Sequence, residues 1–199
     1  MKTFSEICAE EGTDKAPQGH AYSFFYESIL KPKREYIRNL LEIGVMEGSS
    51  HRAWEKWLPN AEIYGVDNNL EQLKNHIIDK ERIHYSQGDG YDRFYLNKLY
   101  PDKVWDVVID DGCHLIHRQI EILNHFHDKL SSYGHIFIED VGSWDDSFVP
   151  GSMNIQKAKE FLYDNFIGAK EKLVLIDSTM IPRMGHCDRW NNYILMYSN

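Results

Sequence analysis

Five short apolar runs recur along the chain, each followed by a stretch with helical spacing: LLEIGV (40–45), EIYGVD (62–67), RIHYS (82–86), WDVVID (105–110) and HIFIED (135–140). The amphipathic stretches begin near Ser49, Leu70, Tyr91 and Ile116. Strands alternating with helices at this spacing build βαβ units, hence a parallel sheet with helices on both faces. The rhythm breaks after a helix-like segment at 155–166. There KLVLID (172–177) and NYILMY (192–197) follow each other with no helical pattern between them. A parallel return needs a crossover, usually helical, so these two runs are expected to form an antiparallel hairpin. The expected fold is α/β: a doubly wound, mostly parallel seven-stranded sheet ending in an antiparallel C-terminal hairpin.

Ahead of the first run, GTDKAPQG (12–19) is turn-rich and separates a short N-terminal helix from a second helical segment at 20–30, before Pro32. Residues 1–38 are therefore expected to be a helical extension or lid, and 39–199 the main domain. At 199 residues, with no internal repeat and no low-complexity tract, one core suffices.

Composition removes several function classes. A hydrophobic share of 42% excludes disorder. Lys and Arg number 22 against 31 Asp and Glu, a formal charge of 22 − 31 = −9, which argues against binding along a nucleic-acid backbone. Cys8, Cys113 and Cys187 are far apart and form no CxxC pair, so neither a disulfide framework nor a thiolate zinc site is expected, and a reducing, cytoplasmic setting is. The first dozen residues carry Glu6, Glu10 and Glu11 and lack a signal-peptide apolar region, and no run approaches the length of a membrane span.

The first run leads into Glu42-Ile43-Gly44-Val45-Met46-Glu47-Gly48-Ser49-Ser50. Gly44 and Gly48 allow a tight turn from strand to helix and a close backbone approach to a ligand. The middle glycine of GxGxxG is missing, and Glu42 and Glu47 would repel a pyrophosphate but suit a cationic ligand. Asp67 ends the second run, 67 − 48 = 19 residues past Gly48, where a carboxylate can accept from ribose hydroxyls. Taken singly, the two glycines are explained by a turn in any doubly wound fold. Asp89, between Gly88 and Gly90, fits either an adenine-end contact or a plain turn.

The densest polar cluster is Asp110-Asp111-Gly112-Cys113-His114, joined by Glu139-Asp140. Neighbouring strands lie about 4.8 Å apart, so if the fourth and fifth pair, these acids meet at one rim. Carboxylates this close repel unless a cation is among them, and hard oxygen ligands suit Mg²⁺ better than zinc. Helix capping by Asp110 or Asp111 is the plainer account, but it needs one acid, not four. Seven other histidines (51, 76, 84, 117, 125, 127 and 135) are assigned to the surface or to caps.

LEIGV with Gly44, Gly48 and Asp67 resembles the cofactor half of class I S-adenosylmethionine-dependent methyltransferases, with their Rossmann-like fold. IDDGCH, IEDV and an N-terminal GTDK…H.Y..Y element (Gly12, Thr13, Asp14, Lys15, His20, Tyr22, Tyr26) resemble the metal-dependent sugar O-methyltransferases of macrolide biosynthesis, the mycinamicin type, and the related cephalosporin-hydroxylase-like methyltransferases. The resemblance implies S-adenosylmethionine held by Glu42, Gly44, Gly48, Ser49, Asp67 and Asp89, with Asp110 a structural or cofactor-side acid. It implies Mg²⁺ on Asp111, Glu139 and Asp140, and His114 as general base. Two positions depart from that pattern: Cys113 replaces the usual serine, and Gly90 stands where glutamine is frequent.

The expected reaction is O-methylation of a hydroxylated small molecule, a sugar or glycoside first and a catechol-like phenol second, with no membrane or nucleic-acid partner. A cofactor-binding partner protein without transferase activity is the rival from another class. Substrate walls are expected at 141–153 (Trp144, Asp145, Asp146, Phe148) and 178–190 (Met180, Met184, His186). Self-association into a homo-oligomer stays open.

Overall fold

The apolar runs are short and rich in Ile, Val and Tyr, which pack well on a pleated surface. They form β1 (Asn39–Ile43), β2 (Glu62–Asp67), β3 (Ile83–Gln87), β4 (Trp105–Asp110), β5 (Leu130–Ile138), β6 (Leu173–Asp177) and β7 (Tyr193–Ser198). The helices are α1 (Phe4–Glu11), α2 (Ser23–Leu30), α3 (Ser49–Trp57), α4 (Arg93–Leu99), α5 (Ile116–Phe126) and α6 (Ile155–Asn165). The computed structural model describes residues 2–75, 81–141, 155–178 and 193–199. Among them, no helix is long and apolar enough to cross a membrane.

The seven strands lie in the order β3-β2-β1-β4-β5-β7-β6. Every pair from β3 to β5 is parallel, whereas β7 runs antiparallel to both β5 and β6. The expected hairpin is thus present, with its later strand on the inside. Strand order reverses between β1 and β4, and in open α/β sheets ligands bind beyond the C-terminal strand ends at such a switch point.

Some boundaries differ from those read in the sequence. β5 starts at Leu130, with a register shift opposite Trp105/Val107, so a polar lead-in joins the apolar run at 135. α2 starts at Ser23, after a left-handed Ala21 (φ 60°). Near Leu70 the described residues form only a 3₁₀ turn, Gln72–Asn75.

Apolar side chains fill both faces of the sheet. On one face α4, α5 and α6 contribute Leu96, Leu123 and Leu162. On the other, α1 and α2 pack with α3: Phe4 stacks on Trp54 at 4.1 Å between ring centroids, and Tyr26 meets Trp54 edge-on. Phe4 is fully buried, which stabilises the fold by about 2 kcal/mol. The N-terminal helices therefore share a core with the sheet. Thr3 and Glu6 form a capping box at the start of α1, and Gly12 (φ 74°) closes it.

The histidine assignment needs correcting at three positions. His51 is fully buried, and His125 and His135 are nearly so. His51 lies on the inward side of α3 above Gly65, where an added Cβ would stand 2.5 Å from its Nε2. Burial, helped by the charge of Lys15, pushes His51 down to about 3. His76 lies outside the described residues.

A group whose folded pKa is depressed contributes stability that is present above its unfolded pKa and lost as pH falls through the folded one. His51→Leu should therefore gain about 3 kcal/mol on the natural chain between pH 8 and pH 4, as read by urea denaturation at the two pH values. An equal gap at both would show that His51 titrates normally in the folded state.

Candidate functional site

The β1–α3 turn shapes one wall of a cleft of about 500 Å³. Gly44 has φ 93°, and a Cβ there would lie 2.1 Å from the Asp111 carbonyl oxygen, so the turn is packed directly against the end of β4. Gly48 (φ 72°) is the N-cap of α3. Asp67 braces the same turn: Oδ2 accepts from Val45 N at 2.7 Å and Met46 N at 3.4 Å, and Oδ1 from Asn69 N at 2.9 Å.

Gly44, Ser49, Asp67 and Asp89 line the cleft. Glu42, Gly48 and Asp110 do not; they stand behind the wall. Glu42 is fully buried, accepts from Trp54 Nε1 at 3.0 Å and is pushed up to about 7 by burial, against the pull of Lys15. Burial likewise pushes Asp110 to about 6, although Tyr91 Oη donates to its Oδ1 at 2.7 Å. Asp89 Oδ1 accepts from Tyr91 N at 2.9 Å, a turn contact made at the rim of the cleft.

The opposite wall carries the acids. β4 and β5 are neighbours, with Asp110 paired to Ile138, so Asp111 and Glu139-Asp140 meet as expected. Asp111, His114 and Asp140 each offer a ligand atom, all within 4.8 Å of one another. His114 Nε2 is 3.7 Å from Asp140 Oδ2. Both residues hold left-handed backbones, φ 54° and 49°, at a cost of about 1–3 kcal/mol each that surrounding structure must offset. The N-cap of α5 is Leu115, with no side chain capping it, so helix capping does not explain Asp110 or Asp111. At the departure from the family pattern, Cys113 uses its backbone N, donating to Tyr91 Oη at 3.0 Å.

Glu139 is held by the N-terminal segment. Its Oε2 accepts from Lys15 Nζ at 2.9 Å and its Oε1 from Tyr26 Oη. Lys15 also reaches Asp111 Oδ2 at 2.5 Å and Glu42 Oε1 at 3.4 Å, and Tyr22 Oη donates to Asp140 Oδ1 at 2.5 Å. Burial alone would lower the pKa of Lys15; Asp111, Glu139 and Glu42 outweigh it and hold the ammonium charged. Burial and neighbouring acids raise both Glu139 and Asp140. Nothing local in the sequence assigns a role to Lys15, Tyr22, Tyr26 or Tyr91. The available signal was one lysine and two phenols in an otherwise unexplained motif.

The donor set fits a small divalent cation. Asp111 and Asp140 offer hard carboxylate oxygens with the His114 imidazole beside them, and among the described residues His114 Nδ1 is buried without a hydrogen-bond partner. Apart from Val141 and Ser178, both buried, the expected substrate walls lie outside the described residues.

No family model matches the chain. It is similar to 8-demethyl-8-(2-methoxy-alpha-L-rhamnosyl)-tetracenomycin-C 3'-O-methyltransferase of Streptomyces olivaceus, 28% identical over 153 residues, covering 73% of this chain and 37% of the relative. Mycinamicin VI 2''-O-methyltransferase of Micromonospora griseorubida is 32% identical over 119 residues, covering 56% and 29%. The chain thus spans roughly a third of the length of these curated relatives. Among solved structures, MycE methyltransferase in complex with Mg, SAH and mycinamycin VI superposes with TM-score 0.70 at 23% identity, over 100% of this chain and 55% of that one. The plantazolicin methyltransferase BpumL in complex with SAH gives TM-score 0.58 at 16% identity, over 90% and 82%. The resemblance read from the motifs is borne out, and the architecture is the Rossmann-like methyltransferase fold.

Proposed function

We propose that the chain is an S-adenosylmethionine- and Mg²⁺-dependent O-methyltransferase whose acceptor is a hydroxyl of a sugar or glycoside. One observation carries this reading: the Asp111–His114–Asp140 cluster faces the same cleft as the Gly44–Ser49 turn and Asp67. The sugar O-methyltransferase activities of the curated relatives support a sugar hydroxyl as the acceptor.

When bound, S-adenosylmethionine supplies an activated methyl, and Mg²⁺ orients the acceptor hydroxyl and lowers its pKa. The chain supplies the rest. Gly44 and Ser49 let the cofactor approach the backbone, Asp67 accepts from its ribose, and Asp89 takes the adenine end. Glu42 and Asp110 stand behind the wall, paired with Lys15 and the Tyr91 hydroxyl. Asp111 and Asp140 hold the ion. Glu139 joins them by sharing its oxygens, since a carboxylate has about four lone-pair sites and Lys15 and Tyr26 use two.

His114 takes the acceptor's proton. Its Nδ1 is buried, which leaves Nε2, and the carboxylate of Asp140 beside it stabilises the imidazolium that forms. An intracellular setting fits such a cofactor.

Incubation with S-adenosylmethionine, Mg²⁺ and a panel of glycosides and catechols tests the reading by release of S-adenosylhomocysteine. Release with glycosides carrying vicinal hydroxyls, stopped by EDTA, is the expected result. Release with catechols alone would move the acceptor class. Cofactor binding without Mg²⁺ binding, and no release with any acceptor, would leave a binding protein.

A further inference from the structure

Lys15 is fully buried, yet it touches acids from the ends of three neighbouring strands: Glu42 of β1, and Asp111 and Glu139 just past β4 and β5. Burying an ammonium costs several kcal/mol of hydration, so such a group persists only among carboxylates that offset the loss. The loop presenting it is tightly closed: Ala16 N donates to Thr13 O, His20 N to Asp14 O, and Ser23 N to Lys15 O at 2.9 Å. One acid would suffice to tie this loop to the sheet. Three are engaged, two of them among the proposed Mg²⁺ ligands.

We propose that Lys15 is a resident countercation of the site: it holds Glu42, Asp111 and Glu139 assembled and weakens the site's grip on a divalent cation, so that the metal exchanges. The inference rests on the acids being a Mg²⁺ site. Two effects of opposite sign compete in it. Hydrogen bonds from Lys15 orient the ligands, and losing such a partner typically costs about 10–100-fold in metal affinity. Its unit charge, hydrogen-bonded to the same carboxylates in an interior of low effective dielectric, opposes a dication. At separations of a few ångström the charge outweighs the orientation. Tyr26 on Glu139 and Tyr22 on Asp140 continue to orient those carboxylates when Lys15 is replaced.

Calorimetric titration of the full chain with MgCl₂, without cofactor, decides the matter. Lys15→Met should bind Mg²⁺ about tenfold or more tightly than the natural chain. Glu42→Gln should bind it more weakly, because the ammonium is then left to Asp111 and Glu139 alone. If Lys15→Met is unfolded without metal, the same role predicts that Mg²⁺ restores the fold and raises its melting temperature more steeply than that of the natural chain. A folded Lys15→Met with equal or weaker affinity overturns the proposal. So does Glu42→Gln with unchanged affinity, or a Lys15→Met that stays unfolded at all Mg²⁺ concentrations. A natural chain that binds no Mg²⁺ overturns the metal assignment with it. Methyl transfer that needs Mg²⁺, alongside unaltered affinity in Lys15→Met, overturns the role of Lys15 alone.

Discussion

Gly44→Ala should destabilise the chain by at least about 4 kcal/mol, enough to leave little folded protein at 37 °C. Two costs combine. A φ of 93° is hard for any residue with a Cβ, and that Cβ would lie 2.1 Å from the Asp111 carbonyl oxygen. The obstacle is backbone, and it is pinned, since Asp111 N donates to Ile43 O at 2.9 Å and its side chain is held by Lys15. Gly48→Ala is the matched comparison. It has φ 72°, but its obstacles are the Tyr85 hydroxyl at 2.6 Å and a Leu73 methyl at 2.9 Å, both side-chain atoms able to shift. A loss of about 1–2 kcal/mol is expected there. Urea denaturation followed by far-UV circular dichroism measures both, and a Gly44→Ala chain as stable as Gly48→Ala would contradict the packing described at the end of β4.

His114→Gly should lower turnover by about 10²–10⁴-fold while costing no stability. The first half follows from the proposed base, and the second from geometry. At φ 54° the histidine is strained and glycine is not, so the substitution relieves backbone strain as it removes the imidazole. A residue kept for structure would show the reverse pattern, with loss of melting temperature and retained turnover. Cofactor affinity, measured by titration with S-adenosylmethionine, should be nearly unchanged; its loss would instead place His114 in the binding machinery.

Much of this architecture was legible because it rests on short-range patterns. The five runs, the helices at Ser49 and Ile116, the closing antiparallel pair and the meeting of Asp111 with Asp140 all follow from periodicity and strand adjacency. What was not legible depends on contacts distant in sequence. His51 looks like a surface histidine in SSHRAWEKW, and only the packing of α3 over Gly65 shows it to be interior. Glu139 and Asp140 are adjacent in the chain, yet of the two, among the described residues, Asp140 alone joins Asp111 and His114 within 4.8 Å. Lys15 and Tyr26 take the Glu139 carboxylate. No local pattern announces a partner 124 residues away.

That same separation bears on how the chain matures. Lys15 leaves the ribosome well before Asp111 and Glu139, so during synthesis Glu42 is the one of its three acids that emerges early. Contacts of such long sequence separation pay their loop-closure entropy before they return any stabilisation, which makes closure of Lys15 onto Asp111 and Glu139 a late event. Until it happens, the acids at the sheet rim face one another without their ammonium. Lys15→Met should accordingly lower refolding rate and yield in addition to its effect on the finished site.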